Sequence, residues 1–296
     1  MDRLMPFLAL YPLPLYQVIN DMQTCKGKII TFANQKGGVG KTTSAVNLSA
    51  AVARLGKRVL IVDSDPQGNA SSGLGVNVKE MGYHLYHCFL EEAKVAQAIR
   101  PTRDMENLKI LPTHIDLVGL EVELISVARR ERYLLEMLAP LRDSYDYIFI
   151  DCPPSLGLLT INALTASDSV IIPLQCEYFA LEGLSQLIRT IRLVKNSYNQ
   201  RLTLEGILLT MFDRRNRLTY KVAKDVKKHF KDSVFDTVIP RNVRLSESPS
   251  HGKPIMIYDP RSAGALAYMA LGKEFLKRRE RHNKRTINKS SADTSL

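Results

Sequence analysis

The sequence predicts an α/β fold: a single domain on a mostly parallel, doubly wound sheet. Apolar, β-branched runs alternate with helical patterns along most of the 296 residues, as in parallel sheets with helices on both faces. The runs at 148–150 and 170–172 are uniformly apolar, which is typical of strands buried on both faces. A glycine-rich segment also joins the first predicted strand to the first predicted helix.

The predicted strands are short runs rich in Ile, Val and Leu, and each is followed by turn residues or by a helical pattern. They cover residues 28–33, 58–63, 108–111, 147–150, 169–173, 204–210 and 234–239. The predicted helices are longer stretches in which apolar residues recur every three or four positions. They cover residues 42–55, 118–139, 156–166, 181–198, 218–230 and 263–279. In such a fold the ligand lies beyond the carboxyl ends of the strands.

The composition is that of a globular protein, with 45% hydrophobic and 24% charged residues. The net charge of +11 favours a polyanionic partner, either nucleic acid or anionic lipid. The charge is uneven, because residues 273–296 carry eight Lys or Arg and three Asp or Glu. This segment therefore contributes +5 of the total.

The four cysteines are Cys25, Cys88, Cys152 and Cys176. They lie far apart and form no C-x-x-C pair, so the sequence predicts neither a disulfide framework nor a structural zinc site. Free thiols in a reducing cytosol fit this pattern, and we expect a cytoplasmic protein.

The chain divides into three parts by composition. Residues 1–21 are apolar but contain Pro6, Pro12 and Pro14, which argue against a membrane-spanning helix. We interpret them as a flexible extension or a misplaced start, since a domain could begin at Met22. The domain is expected over 22–277, followed by a basic, disordered tail over 278–296.

The glycine-rich segment is the most informative motif of the chain. It reads Lys36-Gly37-Gly38-Val39-Gly40-Lys41-Thr42-Thr43. Glycines allow the backbone to turn tightly and to direct its N–H groups, with the positive end of the following helix, at a polyphosphate. Lys41 is placed to reach the outer phosphates, and the Thr42 hydroxyl to bind Mg²⁺.

The loop departs from the common spacing. Gln35 stands where a glycine usually precedes the lysine by six residues, and a second lysine, Lys36, follows it. The second cation could neutralise charge in the transition state, as a finger from another subunit does. The alternative is a solvent-facing charge at the edge of the loop.

Acidic residues follow two predicted strands. Asp63 is the last residue of the strand at 58–63, and Asp65 follows two residues later. Asp151 comes directly after the strand at 147–150. At the carboxyl edge of the sheet, Asp151 is expected to hold Mg²⁺ directly or through water, with Asp63 in support. Asp65 is placed to orient a water for attack on the γ-phosphate. The alternative for each is an ordinary turn or helix-capping aspartate.

Basic residues cluster after the predicted strand at 204–210. Arg214, Arg215 and Arg217 are followed on the next helix by Lys221, Lys224 and Lys228, which share one face. The composition leaves two interpretations open, a solvated charged face and a surface that binds DNA phosphates.

Three segments together resemble the ParA/Soj family of chromosome-partitioning ATPases. Residues 34–43 resemble the deviant Walker A box of the family, 63–70 its second box, and 151–156 its Walker B segment. Residues 238–247 and 258–262 are similar to further family segments. The resemblance runs from about Met22 to about Lys277, and it implies a P-loop NTPase architecture of the SIMIBI type that binds ATP and Mg²⁺.

The resemblance implies specific roles. Lys36 is the signature lysine that reaches the nucleotide of the partner subunit, residues 38–43 wrap the phosphates, and Asp65 positions the hydrolytic water. Asp63 and Asp151 support the metal through water. The family frames the adenine with residues at the positions of Met211, Pro240 and Asn242, and grips the DNA backbone at those of Arg215 and Arg244.

The resemblance also implies a cycle. ATP closes a sandwich homodimer, the dimer binds double-stranded DNA non-specifically, and a ParB-like protein stimulates the hydrolysis that releases it. The ATP-bound form is then expected on the nucleoid. The sequence leaves the cargo open, whether a chromosome, a plasmid or another large body.

Two other classes of protein fit the sequence less well. An electron-transfer reductase like the nitrogenase iron protein needs cysteines that bridge a cluster, and only Cys152 lies near the site. A division-site ATPase of the MinD type carries a C-terminal amphipathic targeting helix, whereas residues 275–279 here offer too few apolar positions for stable membrane binding.

Overall fold

The computed structural model describes residues 27–78 and 82–293. The described residues form one sheet of seven strands, ordered β3-β4-β2-β5-β1-β6-β7. The strands are β1 Lys28–Phe32, β2 Val59–Asp63, β3 Arg100–Thr102, β4 Met105–Leu111, β5 Tyr147–Asp151, β6 Ser169–Gln175 and β7 Thr203–Thr210. Every pair is parallel except the edge pair of β3 and β4, so the predicted fold class is confirmed.

Helices cover both faces of the sheet. In chain order they are α1 Lys41–Arg54, α2 Asn69–Gly73, α3 Leu85–Phe89, α4 Val95–Ala98, α5 Leu120–Glu123, α6 Tyr133–Leu138, α7 Leu158–Ala166, α8 Ala180–Ser197, α9 Arg217–Phe230, α10 Val243–Glu247, α11 Ile255–Tyr258 and α12 Ala263–Asp293. Short 3₁₀ turns lie at 115–119, 130–132, 139–141, 231–233 and 248–251. Among the described residues, no helix has the length and apolarity needed to cross a membrane.

Alternate residues of the central strands fill two separate cores. Ile30 of β1 and Phe149 of β5 pack with α1 and α12, whereas Ile29 and Ile148 pack against α6 and α7 on the other face. A Cβ at Gly272 would lie 3.0 Å from the Cβ of Ala51. This close approach lets α12 pack directly on α1, the helix that follows the glycine-rich loop.

The predicted helix at 118–139 is wrong, because the chain breaks into α5, a turn and α6. Asn162 of α7 causes the break: its side chain accepts a hydrogen bond from the Leu134 N–H at 3.1 Å and donates to the Arg130 carbonyl at 2.9 Å. Arg129 adopts a left-handed φ of 62°. A tertiary contact thus overrides the helical periodicity of this segment.

The predicted strand at 234–239 is also wrong, because the described residues of this region make isolated bridges and no ladder: Val234 bridges to Ile207 within β7, and Pro240 bridges to Phe212 just beyond it. Glu274 of α12 accepts hydrogen bonds from the N–H groups of Asp236 and Thr237, both at 2.8 Å. These two donors are therefore turned away from β7, and no regular ladder forms.

The predictions for the two ends of the chain have different outcomes in the structure. The expected extension at 1–21 lies outside the described residues. The expected disordered tail from 278 is helical up to Asp293, since α12 continues through this Lys- and Arg-rich stretch. Lysine, arginine and glutamate are good helix formers, which explains the continuation.

Candidate functional site

The glycine-rich loop forms a tight turn between β1 and α1. Gly38 and Gly40 have left-handed φ values of 72° and 85°, which side chains other than glycine adopt only with strain. Asn34 donates to the Pro173 carbonyl of β6 at 2.7 Å and accepts from the Lys36 N–H at 3.0 Å. The start of the loop is thereby fixed to the neighbouring strand.

The far side of the loop is fixed to β7. Thr210 donates from its hydroxyl to the Val39 carbonyl at 2.8 Å, across 171 residues of sequence. The loop therefore sits beside the carboxyl ends of β6 and β7, directly before the amino end of α1. This arrangement suits a polyphosphate.

Lys41 is the buried lysine of the site. It is only 6% exposed, and its Nζ donates to the Lys36 carbonyl at 3.2 Å, so the side chain lies across the loop. Burial lowers its pKa, while the negative charge of Asp151 opposes the shift. The next residue, Thr42, stands in the first turn of α1 with its hydroxyl toward Asp151, whose pKa it helps to lower.

Asp151 ends β5 and is completely buried. Neither of its carboxylate oxygens has a conventional hydrogen-bond partner among the described residues. Burial raises its pKa well above the usual range, and the neighbouring Asp63 adds to the rise. A buried carboxylate without a partner, beside a hydroxyl and an ammonium group, fits a hard cation such as Mg²⁺.

Asp63 pairs in register with Asp151, and its carboxylate is held by the protein. Its Oδ2 accepts from the Ser71 N–H at 2.8 Å and from the Ser71 hydroxyl at 2.7 Å, and its Oδ1 accepts from the Asp65 N–H at 3.3 Å. Burial raises the pKa of Asp63 to about 6, against these hydrogen bonds. The contacts position the loop that carries Asp65.

Asp65 is 6% exposed, and its Oδ1 accepts from the Gln67 N–H at 3.0 Å. This hydrogen bond fixes the carboxylate at the start of the 65–68 turn, which the Gly68 N–H closes by donating to the Asp65 carbonyl at 2.9 Å. Asp63, Asp65 and Asp151 thus meet at one edge with Lys41, as the sequence predicts.

Lys36 forms an ion pair with Glu177 of its own chain. Both side chains are about half exposed, at 52% and 46%. Sequence reasoning missed Glu177, although it lies two residues beyond the carboxyl end of β6. The rule that selected the three aspartates, polar residues after parallel strands, would have selected this glutamate as well.

The predicted base-binding residues lie beside the end of β7. Met211 has a left-handed φ of 48°, and its Cε would be 3.9 Å from a Cβ on Gly40. Pro240 bridges to Phe212, next to Met211. Asn242 follows with a buried Oδ1 that has no partner among the described residues. An unpaired buried acceptor is the group that an adenine amino donor would satisfy.

The predicted DNA contacts lie outside this cluster and are paired with carboxylates. Arg215 donates twice to Asp213, from Nε and Nη2, at 3.1 Å each, and remains 88% exposed. The pair lowers the pKa of Asp213 to about 2. Arg244 donates to Glu247 at 2.8 Å and lies 3.5 Å from Asp259.

The predicted basic face of α9 is present. Lys221, Lys224 and Lys228 are all exposed, while Val222 and Val226 are buried beneath them. The helix therefore has one apolar face and one cationic face.

Cys152, the residue that an iron–sulfur protein would use, is completely buried, and burial raises its thiol pKa well above the usual range.

The fold and the site define a class: a P-loop nucleotide-binding protein with a second lysine in its loop. Comparison with known proteins identifies the family. A family model described as an AAA domain matches residues 27–204.

The chain is 58% identical over 248 residues to the sporulation initiation inhibitor protein Soj of Bacillus subtilis, covering 84% of this chain and 98% of that protein. It is 54% identical over 252 residues to the chromosome partitioning protein ParA of Myxococcus xanthus, covering 85% and 89%. The fold is similar to that of a cobyrinic acid a,c-diamide synthase from Mycobacterium smegmatis with bound ADP and magnesium, with a TM-score of 0.76, 36% identity and coverage of 86% and 96%.

The chain therefore belongs to the Soj/ParA family of chromosome-partitioning ATPases, and the family predicted from its motifs is confirmed.

Proposed function

We propose that this protein is an ATP-switched partition ATPase that binds DNA as a dimer. The observation that carries the proposal is the buried carboxylate of Asp151 beside Lys41 and Thr42, whose oxygens have no conventional hydrogen-bond partner among the described residues. This is a site for a cation together with an anion, as ATP with Mg²⁺ provides. The relatives named Soj and ParA support the partition role.

The residues of the site have separate roles. The loop and Lys41 bind the phosphates, and Met211, Pro240 and Asn242 frame the base. Thr42 and Asp151 would hold Mg²⁺, with Asp63 in support; the metal supplies positive charge that offsets the charge on the phosphates. Asp65 accepts a hydrogen bond from the attacking water and orients it in line with the γ-phosphate.

Lys36 couples the chemistry to assembly. In the closed dimer we propose that it leaves Glu177 and reaches the nucleotide of the partner subunit, where its charge stabilises the transition state. Dimerisation then depends on ATP, and hydrolysis dissolves the dimer. A ParB-like protein is the proposed activator of this step.

Arg215 and Arg244 provide the DNA contacts. One basic surface binds phosphates weakly, whereas two surfaces aligned by the dimer bind the same duplex together. Phosphate contacts carry no sequence information, so binding is non-specific and depends steeply on salt. The ATP-bound dimer would then associate with the nucleoid.

The first experiment tests the nucleotide switch. Asp65→Ala should retain ATP binding but abolish turnover, and Lys41→Ala should lose binding itself. In the Asp65→Ala background, adding Lys36→Ala should abolish the ATP-dependent dimer seen by size exclusion with light scattering. Lys57→Ala, at the amino end of β2, is the charge-matched control. Parental hydrolysis by Asp65→Ala, or equal dimer fractions with and without Lys36, would refute these roles.

The second experiment tests the DNA surface. With ATP, Arg215→Ala and Arg244→Ala should weaken binding to any duplex and reduce the salt slope by about one unit per lost contact. Arg103→Ala removes the same charge at the opposite edge of the sheet and should behave like the parent. If deletion of 280–296 alone abolishes binding, while both arginine variants bind normally, the C-terminal segment carries the contacts instead; this deletion keeps Glu274, Phe275 and Arg279, which contact the rest of the fold.

A further inference from the structure

A cluster of imidazole groups lies beyond the carboxyl end of β4, outside the residues assigned to the nucleotide. His84, His114 and Asp116 each offer one potential ligand atom, and these atoms lie within 4.8 Å of one another. The backbone brings them together, because the Leu85 N–H donates to the Pro112 carbonyl at 2.9 Å. Among the described residues it is the one such group of three or more His, Cys, Asp or Glu.

One member of the cluster is unsatisfied. His84 is 5% exposed, and its Nδ1 is buried with no hydrogen-bond partner among the described residues. Buried imidazole nitrogens normally find a partner, so an unpaired one inside a cluster of ligating groups needs an explanation. The rings of His87 and His114 lie 4.1 and 5.2 Å from that of His84, so three imidazoles are grouped at this point.

The second histidine lies against the carboxylate of the cluster. His114 Nδ1 lies 2.8 Å from Asp116 Oδ2, so these two potential ligand atoms are already close enough for one small cation to contact both. His114 is half-buried and Asp116 is exposed, so the cluster opens to solvent on one side.

We propose that His84, His114 and Asp116 form a binding site for a divalent transition metal of the zinc class. Two imidazoles and one carboxylate, with an open fourth position, are a usual zinc set. Ligands of a tetrahedral zinc lie ~3.3 Å apart, given metal–ligand distances of about 2.0–2.1 Å, so small side-chain rotations close the cluster. Mg²⁺ and Ca²⁺ prefer oxygen ligands and bind imidazole poorly. This site is therefore chemically distinct from the site that would hold the nucleotide's Mg²⁺.

The test uses the full chain without nucleotide, in millimolar Mg²⁺, titrated with Co²⁺ as a spectroscopic probe and with Zn²⁺ in competition. We expect one Co²⁺ per chain, visible d–d absorption, and displacement by Zn²⁺. His114→Ala and Asp116→Asn, which alter accessible side chains, should each weaken binding at least about tenfold. His229→Ala, an exposed histidine on α9, should leave it unchanged.

Buried His84 needs a fold check, so His84→Asn is compared with the parent by circular dichroism before its metal affinity is measured. Loss of Co²⁺ binding by a folded His84→Asn supports the site. The proposal is overturned if excess Mg²⁺ abolishes Co²⁺ binding, if binding survives both His114→Ala and Asp116→Asn, or if an intense thiolate charge-transfer band assigns the ligands to cysteines.

Discussion

The two ends of the sheet differ in how their buried charged groups are hydrogen-bonded. At the amino end, the buried guanidinium of Arg142 donates from Nη1 to the Gly27 carbonyl at 3.1 Å and to Asp168 at 2.9 Å, and from Nη2 to the Ala166 carbonyl at 3.3 Å. Among the described residues, only its Nε lacks a partner. At the carboxyl end, Asp151 is equally buried, and neither of its carboxylate oxygens has a conventional hydrogen-bond partner in the part of the chain that the structure describes.

The difference separates stability from function. Asp168 also accepts from the Ile29 N–H at 2.8 Å, so the amino-end network joins β1, β6 and the segment before β5. Such a network stabilises the fold and needs no ligand. The carboxyl end instead carries groups whose pKa values are shifted by burial, which is the signature of a site completed by a charged ligand.

The largest expected effect tests the amino end. Arg142→Ala should lower the free energy of unfolding by about 3–5 kcal/mol, because it leaves Asp168 and two carbonyls without their cation. Urea unfolding measures the change. Arg58→Ala is the control at the same end, since Arg58 forms an exposed pair with Asp146 at 3.2 Å and should cost less than about 1 kcal/mol. Equal losses for the two variants would contradict the structural role of Arg142.

The glycine loop and the three aspartates could be predicted from the sequence because contiguous spacing and strand ends determine their positions. Arg142 could not, since its partners Gly27 and Asp168 lie 115 and 26 residues away and nothing local marks the contact. The same limit explains the two wrong elements. The helix at 118–139 and the strand at 234–239 are broken by the distant side chains of Asn162 and Glu274.

The second effect concerns the pH dependence of the carboxyl end. Burial raises the pKa of Asp63 from 3.8 to about 6. Because its folded-state pKa is raised, the free energy of unfolding of the protein without ligand should decrease by about 3 kcal/mol as pH increases from about 4 to about 6. Above pH 6 it should stay constant. Asp63→Asn should remove this loss.

The measurement is the difference in unfolding free energy across this range between Asp63→Asn and the parent, both carrying Asp151→Asn. The shared substitution removes the titration of Asp151, which Asp63 influences, and the difference cancels the carboxylates that Asp63 does not influence. The difference should increase in favour of the variant up to about pH 6 and then level off. A difference that is flat with pH would show that the pKa of Asp63 is not raised.

The third effect is a change in the free energy of unfolding, which should have opposite signs at the two ends of the sheet. Asp151→Asn should stabilise the protein without nucleotide at neutral pH by about 1–3 kcal/mol, since it replaces a carboxylate whose charged form is disfavoured by burial and by the neighbouring Asp63. Its ATP binding should lose dependence on Mg²⁺, measured by calorimetry with and without the metal. Asp146→Asn, at the amino end, should destabilise slightly, because Asp146 accepts from the Arg58 N–H at 2.8 Å. Destabilisation by both variants would remove the distinction between the ends.

The smallest effect concerns Glu177, which pairs with Lys36 across 141 residues at the carboxyl end. Exposed pairs contribute up to about 1 kcal/mol, so Glu177→Gln should leave the unfolding free energy nearly unchanged. If Lys36 must leave this partner to reach a second subunit, freeing it should increase the ATP-dependent dimer constant by up to about fivefold, the equivalent of that energy. Light scattering at several protein concentrations, in the Asp65→Ala background to prevent turnover, measures the constant. Glu182→Gln, in the first turn of α8, controls for the loss of a negative charge nearby. A weaker dimer in Glu177→Gln would instead place Glu177 among the groups that hold the closed state together, and the pair with Lys36 would then not restrain assembly.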